Sequence, residues 1–201
     1  ITGYEFHVIQ LVTLTCPQYL IMDKLRETLE EVRTRETDGK RPRARIVLTG
    51  SEIDDPEFTK LLEDCGAAVV ADRYCYGSLP GREEIEILHG ETPLRAVARH
   101  YLKTSQCPRF MNRGKADGRK EYIRELVREY KADGVIYNQM KFCEFWSYER
   151  VLGAHVLSEE MGIPTIGIER DYTLASAGQL RTRFQAFIES LEIKSIQGGK
   201  A

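Results

Sequence analysis

Four short apolar runs alternate with segments of helical periodicity between residues 45 and 192. The runs RIVLTG, AAVVAD, ADGVIYN and IPTIGIE occupy 45–50, 67–72, 132–138 and 163–169. Each run is almost continuously apolar instead of alternating, which is typical of strands covered on both faces. The pattern therefore predicts four strands of a buried parallel sheet.

The segments between these runs carry apolar side chains at helical spacing. Predicted helices occupy 54–66, 92–102, 118–133, 146–162 and 176–192. In the first of them, Asp55 is placed as N-cap, Pro56 starts the helix and Gly66 stops it. Alternation of strand and helix predicts an α/β fold: an open parallel sheet with helices on both faces, flavodoxin-like or Rossmann-like.

A separate helical segment precedes this pattern. Residues 18–36 place apolar side chains at helical spacing, and TDGKRPRA then interrupts the helix. The chain opens at Ile1 instead of a methionine, and its first forty residues read as a continuation. We therefore predict a helical lead-in over 1–43, the tail of an amino-terminal domain missing from this chain, and an α/β domain over 44–201.

The composition argues against two kinds of partner, nucleic acids and membranes. A net charge of -2 provides no basic field for a nucleic-acid backbone, so no nucleic-acid partner is expected. The apolar stretch HVIQLVTLTC is too short and too polar for a membrane span and lacks a basic region before it. The sequence thus predicts a cytoplasmic protein without membrane contact.

The cysteines do not form the framework of a small secreted protein. Five of them, an odd number, are scattered at positions 16, 65, 75, 107 and 143. Reduced thiols are expected, some of them as metal ligands. The sequence has no G-x-x-x-x-G-K-[ST], G-x-G-x-x-G or C-x-x-C motif, so ATP or NAD would have to be bound by another chain.

Two cysteines follow predicted strands at nearly the same distance. Ligands of open parallel sheets bind at the carboxyl ends of the strands, so Cys75 and Cys143 are expected to meet at one edge. The alternative, that both are small buried hydrophobes, has equal weight. Cys65 is expected to be structural and Cys107 inert. Two thiols do not complete a zinc or iron-sulfur site, which needs three or four protein ligands.

Other polar residues are weaker candidates. Gln179, Arg181 and Arg183 open the last helix, a place suited to phosphate or carboxylate groups, although surface arginines are equally common there. No histidine is expected to be catalytic. The four are His7 in an unassigned segment, His89 in a turn, and His100 and His155 in helices.

Several segments together resemble one known family. They are RIVLTGSEIDDPEFTKLLEDCGAAVVADRYCYGS, YLKTSQCPRFM, EYKADGVIYNQMKFCEFWSYE and GIPTIGIERDYTLASAGQLRTRFQAFIE, from about 44 to 190. In order and spacing they resemble the carboxyl-terminal domain of the benzoyl-CoA reductase and 2-hydroxyacyl-CoA dehydratase family. Members of that family are heterodimeric iron-sulfur proteins, and a separate homodimeric ATPase passes them single electrons.

The resemblance implies a site. Cys75 and Cys143 match two of the three cysteine ligands of a 4Fe-4S cluster, and the third belongs to the amino-terminal domain that this chain lacks. The aromatic residues of FCEFW supply either an apolar shell for the cluster or part of the core, and for Phe142 we expect the core. The implied partners are a homologous cluster-binding subunit, the ATP-hydrolysing electron donor and an acyl-CoA.

The resemblance also implies a reaction. CYGSLPGREE and ARHYLKTSQCPRFM are more similar to the benzoyl-CoA reductase branch, which implies ATP-driven one-electron reduction of an aromatic ring activated as a CoA thioester. The alternative is a 2-hydroxyacyl-CoA dehydratase, which forms a ketyl radical and expels the hydroxyl group. A further alternative is a non-catalytic α/β module that binds a small molecule or a partner.

Overall fold

The structure, a computed structural model, describes residues 1–36, 39–109, 112–173 and 177–198. Within these residues, a four-stranded sheet consists of β1 (Ala44–Gly50), β2 (Ala67–Arg73), β3 (Gly134–Met140) and β4 (Thr165–Arg170). The strands lie in the order β2-β1-β3-β4, and all three neighbouring pairs are parallel. This arrangement confirms the predicted open parallel sheet, and its strand order begins as in flavodoxin.

Helices connect and cover the strands. They are α1 (Gly3–Thr15), α2 (Gln18–Thr34), α3 (Pro56–Glu63), α4 (Pro93–Thr104), α5 (Arg113–Glu129), α6 (Glu144–His155) and α7 (Ala177–Gly198). A turn of π-helix at Val156–Glu160 continues α6. The start of the predicted last helix, at residue 176, lies outside the described residues.

Separate apolar clusters cover the two faces of the sheet. One contains Ile46, Leu48 and Ile136 of the strands, with Phe58 of α3 and Phe184 of α7. The other contains Val47, Val135 and Tyr137 of the strands, with Ile123 of α5 and Trp146 of α6. Because alternate side chains of one strand enter opposite clusters, every position of β1 and β3 favours an apolar residue. This explains the continuous apolar runs.

The sheet has its switch point between β1 and β3. Chain connections leave β1 towards β2 on one side and leave β3 towards β4 on the other, which opens a crevice at the carboxyl ends. Gly50 ends β1 with φ of 137°, and a Cβ there would lie 1.8 Å from the carbonyl oxygen of Asn138. Glycine therefore permits the close approach of the two strands at this point.

The amino-terminal segment packs on the α/β unit through α1. Backbone N–H groups of Gly3 and Tyr4 donate to the Glu63 carboxylate of α3, at 2.8 and 3.0 Å. His7 is buried between Thr59 Oγ1 (2.9 Å) and the carbonyl oxygen of Ile53 (3.0 Å). The sequence left this segment unassigned, whereas α2 closely matches the helix predicted over 18–36. Within the described ranges, no helix is both long and apolar enough to cross a membrane.

One predicted helix is displaced. The prediction began it at Gly118, but α5 begins at Arg113, because Asn112 Oδ1 caps the helix by accepting from the backbone N of Lys115 (2.8 Å). The helix ends at Glu129, earlier than predicted. Gly114 and Gly118 lie in the first turns of α5, and because glycine disfavours a helix, the sequence did not predict this part as helical.

Candidate functional site

The loop after β2 is built to present Cys75. Asp72 Oδ1 accepts from the backbone N of Ser78 (2.7 Å) and from Ser78 Oγ (3.0 Å), which closes the loop into a tight turn. Gly77 lies against this carboxylate, where a Cβ would sit 2.1 Å from Asp72 Oδ1. Tyr74 turns into the core. The motif DRYCYGS is thus anchored on both sides of Cys75, which stays exposed.

The second predicted ligand, Cys143, follows β3 and is the N-cap residue of α6. Its side chain makes no capping hydrogen bond and is half-buried against the cluster that contains Trp146. The preceding Phe142 has φ of 67°, a left-handed conformation that is uncommon outside glycine. Its side chain is 95% exposed, so the expectation that Phe142 is core is wrong. The backbone reversal between β3 and α6 turns this ring outward.

Both cysteines lie at the carboxyl edge of the sheet. The strands that precede them, β2 and β3, are parallel neighbours of β1, so their carboxyl ends meet on one side. The Cys143 thiol is near enough to Cys75 to raise its pKa electrostatically. A cluster shared by the two cysteines stays a prediction.

A cavity of about 230 Å³ opens beside Cys75. Its walls include Cys107, which was expected to be inert, together with Arg73 at the end of β2 and Trp146 of α6. Among the described residues, the buried indole Nε1 of Trp146 has no oxygen or nitrogen partner, and its N–H interacts with the Cys75 thiol and lowers the pKa of that thiol. The thiols of Cys75 and Cys107 and the Trp146 N–H therefore face one space.

The Cys75 thiol holds its proton. Burial and, to a smaller extent, the neighbouring Cys107 raise its pKa to about 11, against smaller lowering effects of a hydrogen bond from Trp146 and of the Arg73 charge. The residue is exposed on its outer side, while densely packed protein behind the sulfur disfavours a bare thiolate. A metal that binds here would displace this proton.

Behind the cavity lies a cluster of buried charges, Arg73, Arg119 and Glu149, each at most 5% exposed. Arg119 Nη2 lies 2.7 Å from Glu149 Oε2. Arg73 Nε donates to Gln106 Oε1 (2.9 Å), and its guanidinium stacks 4.7 Å from the centre of the Trp146 ring. Glu149 pairs with Arg119, and Arg73 has no carboxylate of its own among the hydrogen bonds of the described residues, so this cluster has an excess positive charge. Burial lowers the pKa of Arg73.

The donors fit an iron-sulfur cluster better than a hard cation. Among the described residues, no three His, Cys, Asp or Glu side chains are placed to hold a metal ion by themselves. The cavity does present soft thiol donors, an indole N–H directed at the Cys75 sulfur and nearby buried cations. Thiolates and sulfides are anionic acceptors that such groups stabilise.

The remaining predicted residues lie elsewhere. Gln179, Arg181 and Arg183 are exposed on α7, and none of them lines the Cys75 cavity. Arg183 Nη2 donates to the carbonyl oxygen of Gly167 in β4, at 2.8 Å. Their proposed role towards a substrate stays a prediction. Cys65 is buried and its Sγ donates to the carbonyl oxygen of Leu61 (3.2 Å), as suits a structural residue.

The buried charged residues and Cys107 were not identified from the sequence as parts of the site. Arg119 and Glu149 lie on different helices, 30 positions apart, and no local pattern relates them. Arg73 gave one usable signal, since a charged residue ends the apolar run of β2. Cys107 gave none, because its position beside Cys75 depends on tertiary packing, in which the neighbouring Gln106 contacts Arg73 at the end of β2.

Comparisons with known proteins identify the family to which the chain belongs. Residues 1–191 match the family model described as 2-hydroxyglutaryl-CoA dehydratase, D-component. The chain is 31% identical over 172 residues to the (R)-phenyllactyl-CoA dehydratase beta subunit of Clostridium sporogenes, covering 84% of the chain and 43% of that protein. It is 27% identical over 184 residues to the lactoyl-CoA dehydratase beta chain of Anaerotignum propionicum, covering 87% and 46%.

A benzoyl-CoA reductase subunit of Thauera aromatica is 26% identical over 167 residues, covering 80% of the chain and 37% of that protein. The chain thus spans less than half the length of these three relatives. Each relative is named as one subunit of an enzyme that acts on an acyl-CoA. Since the family model matches almost all of its residues, the chain belongs to the 2-hydroxyglutaryl-CoA dehydratase D-component family, as the resemblance in its sequence implied.

Proposed function

We propose that this chain is part of an enzyme subunit that holds a 4Fe-4S cluster and reduces an acyl-CoA thioester by one electron. The observation that carries the proposal is the cavity beside Cys75, where the thiols of Cys75 and Cys107 and the indole N–H of Trp146 adjoin buried arginines, while Cys143 lies at the same edge of the sheet. The acyl-CoA substrates named for the relatives support the substrate class.

The proposed cluster ligands are Cys75 and Cys143, with a third cysteine from an amino-terminal domain outside this chain. In this division, 1–43 is the tail of that domain and 44–201 the cluster-binding α/β domain. This division is supported by the fact that the chain covers less than half the length of each of the three relatives. Cys107, which shares the cavity with Cys75, is an additional thiol whose contribution needs its own test.

When bound, the cluster supplies a single electron at low potential. The chain's own residues set its surroundings. Arg73 and Arg119 place positive charge behind the thiols, which offsets the negative charge of thiolates and favours the reduced state. Trp146 offers an N–H to a sulfur acceptor. The exposed side of Cys75 leaves room for a substrate or partner to approach.

Two reactions can follow the one-electron reduction, and each has an observation in its favour. Loss of a hydroxyl group from a 2-hydroxyacyl-CoA is supported by the higher identities to dehydratase subunits. Dearomatising reduction of benzoyl-CoA is supported by the motifs around Cys75 and Cys107 and by the match to a benzoyl-CoA reductase subunit. Anaerobic assays with (R)-phenyllactyl-CoA, lactoyl-CoA and benzoyl-CoA, read by mass spectrometry, separate the two.

The proposed partners are a homologous cluster-binding subunit and an ATP-hydrolysing electron donor, in the cytoplasm. An exposed apolar surface near Cys143 supports a partner subunit: Phe142, Phe145, Tyr148 and Leu152 are 95%, 39%, 69% and 59% exposed. Isolated exposed apolar residues are ordinary, but a contiguous group beside a site is typical of an interface.

The test is anaerobic reconstitution of the protein that contains this chain, with iron and sulfide counted. We expect loss of most iron in Cys75→Ser and in Cys143→Ser, and unchanged loading in Cys16→Ser, an exposed cysteine between α1 and α2 that serves as matched control. Cys107→Ser tests the additional thiol. Full iron loading in the Cys75 or Cys143 variant would reject that ligand, and iron-free wild-type protein would support the non-catalytic alternative.

A further inference from the structure

A second, larger cavity adjoins the Cys75 cavity. Its volume is about 370 Å³, and the two cavities share the wall formed by Leu79, Thr104, Ser105 and Gln106. The charged residues that line the larger cavity are Arg82, Lys103, Lys115, Arg119 and Glu83. Even with Arg119 paired to Glu149, the described lining has more cations than carboxylates, which gives this cavity an excess of positive charge. It is therefore suited to an anion.

One wall contains polar groups that lack a partner. Arg119 is 1% exposed, and although its Nη2 is paired with Glu149 Oε2 (2.7 Å), its Nε and Nη1 have no hydrogen-bond partner among the described residues. The buried hydroxyl of Tyr122 also has none. Buried donors without acceptors are rare and destabilising. Arg119 and Tyr122 both line this cavity, so an acceptor bound there would pair these groups, for which the described residues supply none.

The α5 wall leaves space for that acceptor. Gly114 and Gly118, one turn apart near the helix amino terminus, both line the cavity. A Cβ at Gly118 would meet nothing within 4 Å, and a Cβ at Gly114 would meet just Asn112 Oδ1, at 3.7 Å. Glycine inside a helix lowers helix stability. Here it leaves bare backbone facing the cavity, at the end of the helix that attracts anions.

We propose that this cavity binds the phosphate groups of CoA, either its diphosphate or its 3′-phosphate. The inference rests on the proposed function, because the acyl-CoA is the phosphate-bearing ligand of that function. Arg119 would supply two buried N–H donors and Lys103 an exposed ammonium group. Because the two cavities adjoin along their shared lining residues, the pantetheine arm would extend from the larger cavity towards Cys75. Glu83 lies at the exposed rim, where water screens its charge.

The experiment measures binding by isothermal titration calorimetry to the protein that contains this chain. The probes are CoA, adenosine 3′,5′-bisphosphate, inorganic pyrophosphate, pantetheine and ATP. The variants are Lys103→Glu, on the exposed rim, and Arg119→Gln combined with Glu149→Gln, which removes both buried charges together. The matched control is Lys194→Glu, an exposed lysine on α7 away from both cavities.

We expect both cavity variants to weaken CoA binding about tenfold or more, because hydrogen bonds to charged groups contribute on the order of that factor. Pantetheine affinity and the Lys194→Glu variant should be unchanged. Weakened pyrophosphate binding would assign the site to the diphosphate, and weakened bisphosphate binding to the 3′-phosphate.

Wild-type CoA affinity in both cavity variants, with unchanged circular dichroism, would overturn this inference and leave the proposed function intact. ATP binding as tight as that of CoA, with the same loss in the variants, would overturn the assignment to CoA. Failure of CoA to bind the wild-type protein while pyrophosphate binds would reject both this inference and the acyl-CoA substrate.

Discussion

At the scale of residues, the site depends on how Cys75 is held. The Asp72–Ser78 hydrogen bonds fix its loop, while the side chain stays exposed and the packing behind it keeps the thiol protonated. Surface cysteines of a redox sensor have the opposite property, a lowered pKa. Cys75 is therefore better suited to coordinate a metal through its sulfur than to react with small oxidants.

The raised pKa predicts slow alkylation of Cys75 at neutral pH. Since the pKa is about 11, its iodoacetamide reaction rate in metal-free protein should rise about tenfold per pH unit from pH 7 to pH 10, following the thiolate fraction. The measurement is peptide mass spectrometry over time. Cys107→Ser should speed the reaction at pH 10 more than at pH 7, because Cys107 raises the pKa of Cys75 through the negative charge of its thiolate, which forms only at high pH. A rate that levels off near pH 9 would contradict this.

At the scale of elements, two glycines near the cavities have opposite surroundings. Gly77 in the Cys75 loop touches the Asp72 carboxylate, whereas Gly118 in α5 borders open space. The first is needed so that the loop can close. The second serves no packing purpose within the described part of the protein.

Alanine substitutions should separate these two roles. Gly118→Ala should raise the free energy of unfolding by about 0.5–1 kcal/mol, because alanine is the better helix former and its Cβ meets no atom. Gly77→Ala should lower it, because its Cβ would lie 2.1 Å from Asp72 Oδ1. Urea unfolding measures both. If Gly118→Ala destabilises the protein, the open space beside α5 is incorrectly described.

The regular elements were predictable to different degrees. Strands β1 and β2 lie almost where the sequence placed them, because continuous apolar runs directly reflect burial on two faces. Helix α1 falls in the helical lead-in predicted over 1–43, but no bounds were predicted for it from the sequence, since its apolar residues spread around the helix instead of forming one stripe. Helix α5 was misplaced because its glycines, which face the larger cavity, look like helix breakers in sequence.

At the scale of the whole molecule, the site too was predictable from the sequence only in part. The edge shared by Cys75 and Cys143 followed from the rule that parallel strands end on one side. The buried charges did not, because Arg73, Arg119 and Glu149 come from β2, α5 and α6 and meet through tertiary packing alone. Arg119 in particular connects the two cavities: it pairs with Glu149 behind the first and lines the second.

That buried pair should control the stability of the layer formed by α5 and α6. Arg119→Met alone leaves the Glu149 carboxylate buried without its partner, and removing one member of a buried pair costs about 3–5 kcal/mol. The double variant Arg119→Met with Glu149→Leu should regain most of this loss, because the cost of burying an unpaired charge disappears. Urea unfolding of both single variants and the double variant gives the coupling energy. If the double variant loses as much stability as the sum of the two single variants, Arg119 and Glu149 do not stabilise the protein as a pair.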